Sequence, residues 1–231
     1  FIALQSAIEQ SCNTFFIDIG LKTGLDNIRP MMLGAGLGRA PDIDLPSAES
    51  GLVPSRPWAI RQWGRGWLAI DTAFLSIGQG AVNISPLQAA MYAAALANGG
   101  TVFRPYLVRE VQADDGQTIQ VTAPRAVVEL PVADAYLARI QQGMWRVVNG
   151  DHATARAARN SNIVLAGKTG TAEVKRGDED YNNAWFIAFG PYENPQYAVA
   201  VVVERGVSGG RTCAPIVGRF FERWLADDDG E

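Results

Sequence analysis

Three short apolar runs in the last third of the chain, at 163–166, 184–189 and 198–203, limit the fold more than any other feature. Each is continuous rather than alternating, a pattern that suits strands covered on both faces, and each is too short for a helix of ordinary length. Residues 190–197, which include Pro191 and Pro195, join the second and third runs as an antiparallel pair. Farther on, Val217, Phe220, Phe221, Trp224 and Leu225 recur at helical spacing, the apolar stripe of a helix that closes over the sheet.

Upstream the periodicity is helical. Leu4, Ala7, Ile8, Phe15, Phe16 and Ile19 mark one face over residues 3–20. Ser11, Cys12 and Asn13 interrupt it, because Ser and Asn side chains compete for backbone hydrogen bonds and favour caps and turns. Two short helices are expected there, then a third over 26–33 that ends at Gly34, Gly36 and Gly38. Residues 35–67, with Pro41, Pro46, Pro54 and Pro57, read as a long functional or mobile loop. Ser85 and Pro86 form a strong helix start, a capping hydroxyl followed by proline at the first position. The helix they open runs through the alanine-rich 87–97, apolar all round and so buried, and closes at Asn98, Gly99 and Gly100. A β-hairpin is expected over 102–121, turning at Asp114, Asp115 and Gly116. Ala135, Leu137, Ile140, Met144 and Val147 give the apolar side of a helix over 132–148, and 152–160 reads as a loop or short helix. Helices first, then antiparallel strands and a covering helix make an α+β fold. Residues 1–160 are its mostly helical part with a hairpin, 161–226 hold the sheet strands and closing helix, and 227–231 form an acidic tail.

Composition narrows the chemistry. The chain has 231 residues, 48% of them apolar, and a net charge of −4 with scattered basic residues, which argues against nucleic acid or an anionic membrane as the main partner. Cys12 and Cys213 are too few for a disulfide scaffold and lack zinc-ligand spacing. A single histidine, His152, leaves His-based triads and metal clusters nothing to build on, and it reads as a loop residue. No cofactor is expected. No run of 18 apolar residues is present to span a membrane. Any catalysis must therefore rest on hydroxyls, amides and three lysines, Lys22, Lys168 and Lys175.

Lys-Thr-Gly occurs twice, at 22–24 and 168–170. Lys22 sits at a helix end, with Gly24 at the C-cap, where a cation favours the helix dipole and needs no other role. Lys168 follows a strand run, and Thr169, Gly170, Thr171, Ala172 and Glu173 continue it. A cation, hydroxyls and open backbone on an edge strand can pair with an extended peptide and grip its carboxylate. Ser11-x-Asn13 is uninformative alone. Ser-x-x-Lys, Ser-Asp-Asn and Lys-Thr-Gly, however, are the serine acyl-transfer set of penicillin-binding proteins and class A β-lactamases, and counterparts of the second and third members stand here in that order.

On these residues the chain resembles the transpeptidase domain of class B penicillin-binding proteins, closest to the elongation-type penicillin-binding protein 2 branch. The resemblance covers about residues 1–225. It is carried by Ser11-Cys12-Asn13-Thr14-Phe15-Phe16, by Ser76-Ile77-Gly78-Gln79-Gly80 with Ser85-Pro86-Leu87-Gln88, by Ala166-Gly167-Lys168-Thr169-Gly170-Thr171-Ala172-Glu173, and by Ala184-Trp185-Phe186. It implies that Ser11 relays a proton towards the leaving amine and that Asn13 binds the donor peptide's amide. It further implies that Lys168 supplies positive charge to Ser11 and the substrate carboxylate. Thr169 would hold the terminal carboxylate of D-alanyl-D-alanine, beside Gly170, and the Thr171 N–H would form half of an oxyanion hole. The Gly78-Gln79-Gly80 stretch is expected to be a structural turn near the site, and Trp185 and Phe186 to divide between core and cleft floor. A Cys12–Cys213 bond stays open, since the family works in an oxidising compartment.

One member of the set is absent: no serine in the chain has a lysine three positions later. In the family that pair precedes Ser-x-Asn by some tens of residues, after two sheet strands, and the strand at 198–203 would border one of them. The expectation is the C-terminal portion of a larger transpeptidase domain, opening mid-domain at Phe1, inactive alone and completed by an N-terminal portion. The implied reaction is peptidoglycan D,D-transpeptidation on stem peptides, with β-lactam antibiotics as substrate mimics. The implied setting is the periplasmic side of the inner membrane, beside a membrane glycosyltransferase of the elongation machinery. A D,D-carboxypeptidase or serine β-lactamase, and a non-catalytic pseudo-transpeptidase scaffold, stay open as alternatives.

Overall fold

In a computed structural model, residues 2–46 and 48–228 are described, apart from the side chains of residues 176 and 225–228. The first helical stretch breaks where expected, into α1 (Leu4–Glu9) and α2 (Asn13–Thr23). Ser11 bridges them with a φ of 53°, a left-handed conformation that turns the chain from one helix into the next. Ala7 and Ile8 are buried and Phe16 packs against the core, whereas Ile19 faces outward. Gly24, at φ 75°, ends α2 and opens α3 (Leu25–Gly34), and Lys22 pairs with Asp18 one turn back at 2.7 Å.

The expected loop at 35–67 is only partly a loop. It contains α4 (Arg56–Trp63), and α5 (Ala69–Leu75) follows it. Ser55 caps α4 by accepting a hydrogen bond from the Trp58 N–H at 3.2 Å, with a proline in the first turn. Between these helices Trp63 stacks on Trp67, and Arg65 makes a two-point pair with the buried Asp71 at 2.7 and 2.8 Å. These contacts anchor the start of α5, and the turn at 76–80 that follows it meets β5 (Ala166–Arg176) through Gln79. Helix α6 (Pro86–Ala97) starts at Ser85 with the expected cap, reinforced by reciprocal bonds between Ser85 and Gln88. Its burial is concentrated at Gln88, Ala89, Ala93, Ala95 and Leu96 rather than spread all round.

The expected hairpin is two ladders, not one. Strands β2 (Glu110–Gln112) and β3 (Thr118–Val121) pair around Gly116, while β1 (Thr101–Phe103) pairs with β4 (Ala126–Glu129). Pro105 breaks the first strand, so β1 takes its partner from the segment after the hairpin. Helix α7 (Asp134–Asn149) buries Leu137, Met144, Val147 and Val148, but Ala135 is exposed. Residues 156–158 form one 3₁₀ turn.

The main sheet consists of β5 (Ala166–Arg176), β6 (Glu179–Gly190) and β7 (Tyr197–Val203) in the order β5-β6-β7, all antiparallel. Lys168 lies opposite Ile187, Gly170 opposite Trp185, and Ala184 opposite Val203. The run at 163–166 is a correction: Ile163 and Leu165 are buried as packing residues before the strand, which starts at Ala166 and runs through the polar motif. Every residue of β7 is half-buried, and among the described residues no strand pairs with its outer edge. A π-helical turn at Gly209–Cys213 leads into α8 (Ala214–Asp228). Val217 and Phe221 are buried, Phe220 and Trp224 stand at the surface, and the Leu225 side chain and the tail beyond 228 lie outside the described residues. Phe186, Phe189, Phe221, Leu165, Val147 and Val217 form the centre of the core that α7, α8 and the sheet share.

Candidate active site

Strand β5 alternates its side chains, and its long outer edge faces the junction between α1 and α2. Lys168 sits at that edge. Its Nζ donates to Ser11 Oγ at 2.8 Å and to its neighbour's carbonyl, Thr169 O, at 2.7 Å. The left-handed turn at Ser11 is what presents the hydroxyl to a residue 157 positions away. Burial of the amine disfavours its charged form and lowers the Lys168 pKa to about 8. Near neutrality it is therefore mostly an ammonium, yet close enough to its pKa to release a proton.

Asn13, the first residue of α2, lies beside Ser11 on the same rim. The Thr169 hydroxyl donates to Thr154 Oγ1 at 3.2 Å, and Thr154 in turn donates to Glu9 O at 3.1 Å at the end of α1. Glu9 is buried, and its carboxylate accepts from the His152 N–H at 2.9 Å. This chain of bonds ties the loop at 150–154 to both α1 and β5. Gly209 must be small because the turn at 208–211 packs onto Gly170: a Cβ on Gly209 would lie 2.8 Å from Gly170 O. A cavity of about 1030 Å³ opens between these parts. Ser11, Asn13, Lys168, Thr169, Gly170 and Thr171 all line it, so the structure brings all six expected residues together. Its inner wall is apolar, formed by Ile8, Tyr92, Leu96, Ile140 and Met144. Lys22 is remote from this group and, among the described residues, bonds only its helical neighbour Asp18, as its cap position implies.

Trp185 and Phe186 divide between core and cleft. Phe186 is fully buried, whereas Trp185 is half-buried and lines a second cavity of about 740 Å³ along the same strand edge. The disulfide left open does not form: both cysteines are free, Cys213 buried with its thiol donating to Ala184 O at 3.1 Å, and Cys12 beside the Thr14 hydroxyl at 3.3 Å. Sequence reasoning missed Thr154 and the turn at 208–211. Thr154 lies in a polar, alanine-rich stretch with no motif of its own, and only the fold brings it to Thr169.

The family model for the penicillin-binding protein transpeptidase domain matches residues 1–222. The peptidoglycan D,D-transpeptidase MrdA of Haemophilus influenzae is 30% identical over 96% of this chain and 36% of its own length, so the chain spans about a third of that relative. Among solved structures, PBP2 of Pseudomonas aeruginosa in complex with WCK 5153 is 36% identical, with a TM-score of 0.84 over 100% of this chain and 50% of that one. Penicillin-binding protein A of M. tuberculosis, solved as a ceftriaxone acyl-enzyme complex, is 31% identical, with a TM-score of 0.83 over 96% of this chain and 48% of that one. With its motifs gathered at one cleft and this similarity running nearly end to end, the chain belongs to the transpeptidase domain family of penicillin-binding proteins.

Proposed function

We propose that this chain supplies the substrate-gripping side of a serine D,D-transpeptidase that cross-links peptidoglycan stem peptides. The observation that carries the reading is the Lys168–Ser11 hydrogen bond beside a cavity lined by the Lys-Thr-Gly strand. In this reading the nucleophilic serine comes from sequence outside these 231 residues, together with its base lysine. The apolar wall of Ile8, Tyr92, Leu96, Ile140 and Met144 supports this, because it offers a helix-sized seat directly beside Ser11 and Lys168.

The serine oxygen attacks the carbonyl of the D-alanyl-D-alanine bond, the C–N bond breaks, and D-alanine leaves with a proton delivered through Ser11. An acceptor amine then attacks the ester, transferring the acyl group and returning the proton to the serine. Thr169 and the Lys168 ammonium hold the terminal carboxylate, Asn13 the donor amide, and the Thr171 N–H one side of the oxyanion. β-Lactams acylate the same serine. The domain works on the periplasmic side of the membrane, beside a membrane glycosyltransferase.

Labelling with a fluorescent penicillin tests this. The full-length protein is expected to retain label covalently and the 231-residue chain to take up none. Covalent labelling of the chain would overturn the external nucleophile, and a full-length protein that takes no label would overturn the acyl-transfer reading.

A further inference from the structure

The outer edge of β5 is already partly paired. Gly78 and Gly80, at φ 73° and 81°, fold the turn after α5 so that Gln79 between them reaches the strand. Its carboxamide Nε2 donates to Thr171 O at 3.0 Å, and its Oε1 accepts from the Glu173 N–H at 3.3 Å. Donating to the carbonyl of one residue and accepting from the N–H two residues on is what a single residue of a parallel strand does. One side chain thus stands in for a strand residue on the edge to which an extended peptide would add. Gln79 also lies between the two cavities and lines both. Lys168 engages the edge carbonyl of Thr169, so both carbonyls next to the site are held by side chains of this chain.

We propose that Gln79 is a specificity-determining residue: it competes with the donor for the Thr171 carbonyl and the Glu173 amide. A ligand that pairs with β5 beyond the reacting bond must displace it, whereas one that stops at Thr171 N–H need not. This rests on the acyl-transfer reading above. The Gly78-Gln79-Gly80 stretch then acts as more than a structural turn.

The test uses the full-length protein and two acylating probes. One is a penicillin with an acylamino side chain, which offers an amide N–H to Thr171 O. The other is unsubstituted penicillanic acid, which keeps the ring carboxylate but has no side-chain amide. Gln79→Met keeps the volume and removes both hydrogen bonds, and Gln79→Ala removes the side chain. The expected result in each is a 3- to 10-fold rise in the acylation rate constant for the acylamino penicillin relative to penicillanic acid. A ratio that stays within twofold of wild type, including an equal fall for both probes, overturns the proposal, as does a falling ratio. Wild-type protein acylated by neither probe overturns the acyl-transfer reading, and this proposal with it.

Discussion

The ammonium of Lys168 on β5 meets the hydroxyl of Ser11 in the α1–α2 turn at 2.8 Å, joining the two halves of the fold at one point. Each partner is set by a local constraint: Ser11 by its left-handed backbone, Lys168 by a strand register that places it opposite Ile187. The bond leaves the lysine with one proton directed at Ser11 and one at Thr169 O, and a third free for a ligand carboxylate.

Removing either partner should slow acylation more than it disturbs folding. Ser11→Ala and Lys168→Met in the full-length protein are expected to lower the second-order rate of fluorescent-penicillin labelling by ~10²–10⁴-fold, the range for a positioned proton-transfer group. Lys168→Arg keeps the charge but cannot release a proton, and its planar fork does not fit a point contact. It should restore ligand binding more than acylation. Labelling rates at or near wild type for Lys168→Met would remove this lysine from the mechanism.

The lowered Lys168 pKa, about 8, sets two pH dependences. Carboxylate ligands should bind more weakly as pH rises through 8, because the ammonium that holds them is lost. Stability should move the other way. The unfolded lysine titrates near 10.5 and the folded one near 8, so between these values the unfolded state binds more protons and stability rises with pH. Below 8 the lysine is charged in both states and contributes no slope. Urea denaturation between pH 7.5 and 10.5 should show this rise in the wild type and lack it in Lys168→Met.

Gln88 tests the packing between α6 and the segment at 36–50. It is 1% exposed, and its Nε2 donates to Arg39 O and Ser50 O, both at 2.9 Å, and to Gly36 O at 3.3 Å, while its Oε1 accepts from the Ser85 N–H at 2.8 Å. Gln88→Leu fills the space but strands these groups. Each buried polar group left without a partner costs about 1–3 kcal/mol, so a loss of roughly 3 kcal/mol or more is expected in chemical denaturation. Ser85→Ala, which removes only a cap, should cost about 1 kcal/mol.

The parts of this fold legible in sequence are those with a local cause. Ser85 and Pro86 announce α6 because a cap and a first-turn proline act within four residues. Ser55 and Pro57 carry the same signal for α4, obscured by the glycines and prolines around them. The pairing of β1 with β4 was hidden because the break at Pro105 sends the strand to a partner more than twenty residues on. At 163–165 the apolar run is packing, not strand, a distinction made by the surroundings of Ile163 and Leu165. The motif residues were legible as a set because Ser11, Asn13 and Lys168 share one chemistry. Thr154 was not, and Gln79 was legible only as part of a turn near the site, since their partners Thr169 and Thr171 are chosen by the fold.

Gly209 is where the turn over the cleft should tolerate least. It packs so closely on β5 and β6 that a methyl group there would overlap the Trp185 carbonyl and lie 2.8 Å from Gly170 O and 3.0 Å from Gly170 N. All three are backbone atoms of paired strands and cannot rotate away. Gly209→Ala must therefore lift the 208–211 turn from Gly170 or distort the sheet, and either change alters the wall opposite Ser11. A loss of about 1–3 kcal/mol, in the range of overpacked sites, is expected together with slower penicillin labelling. Gly66→Ala is the control. Nothing lies within 4 Å of its Cβ position, and a surface change of this kind should move stability by no more than about 0.5 kcal/mol. Equal effects of the two substitutions on thermal unfolding would show that contact with Gly170 does not hold the turn in place.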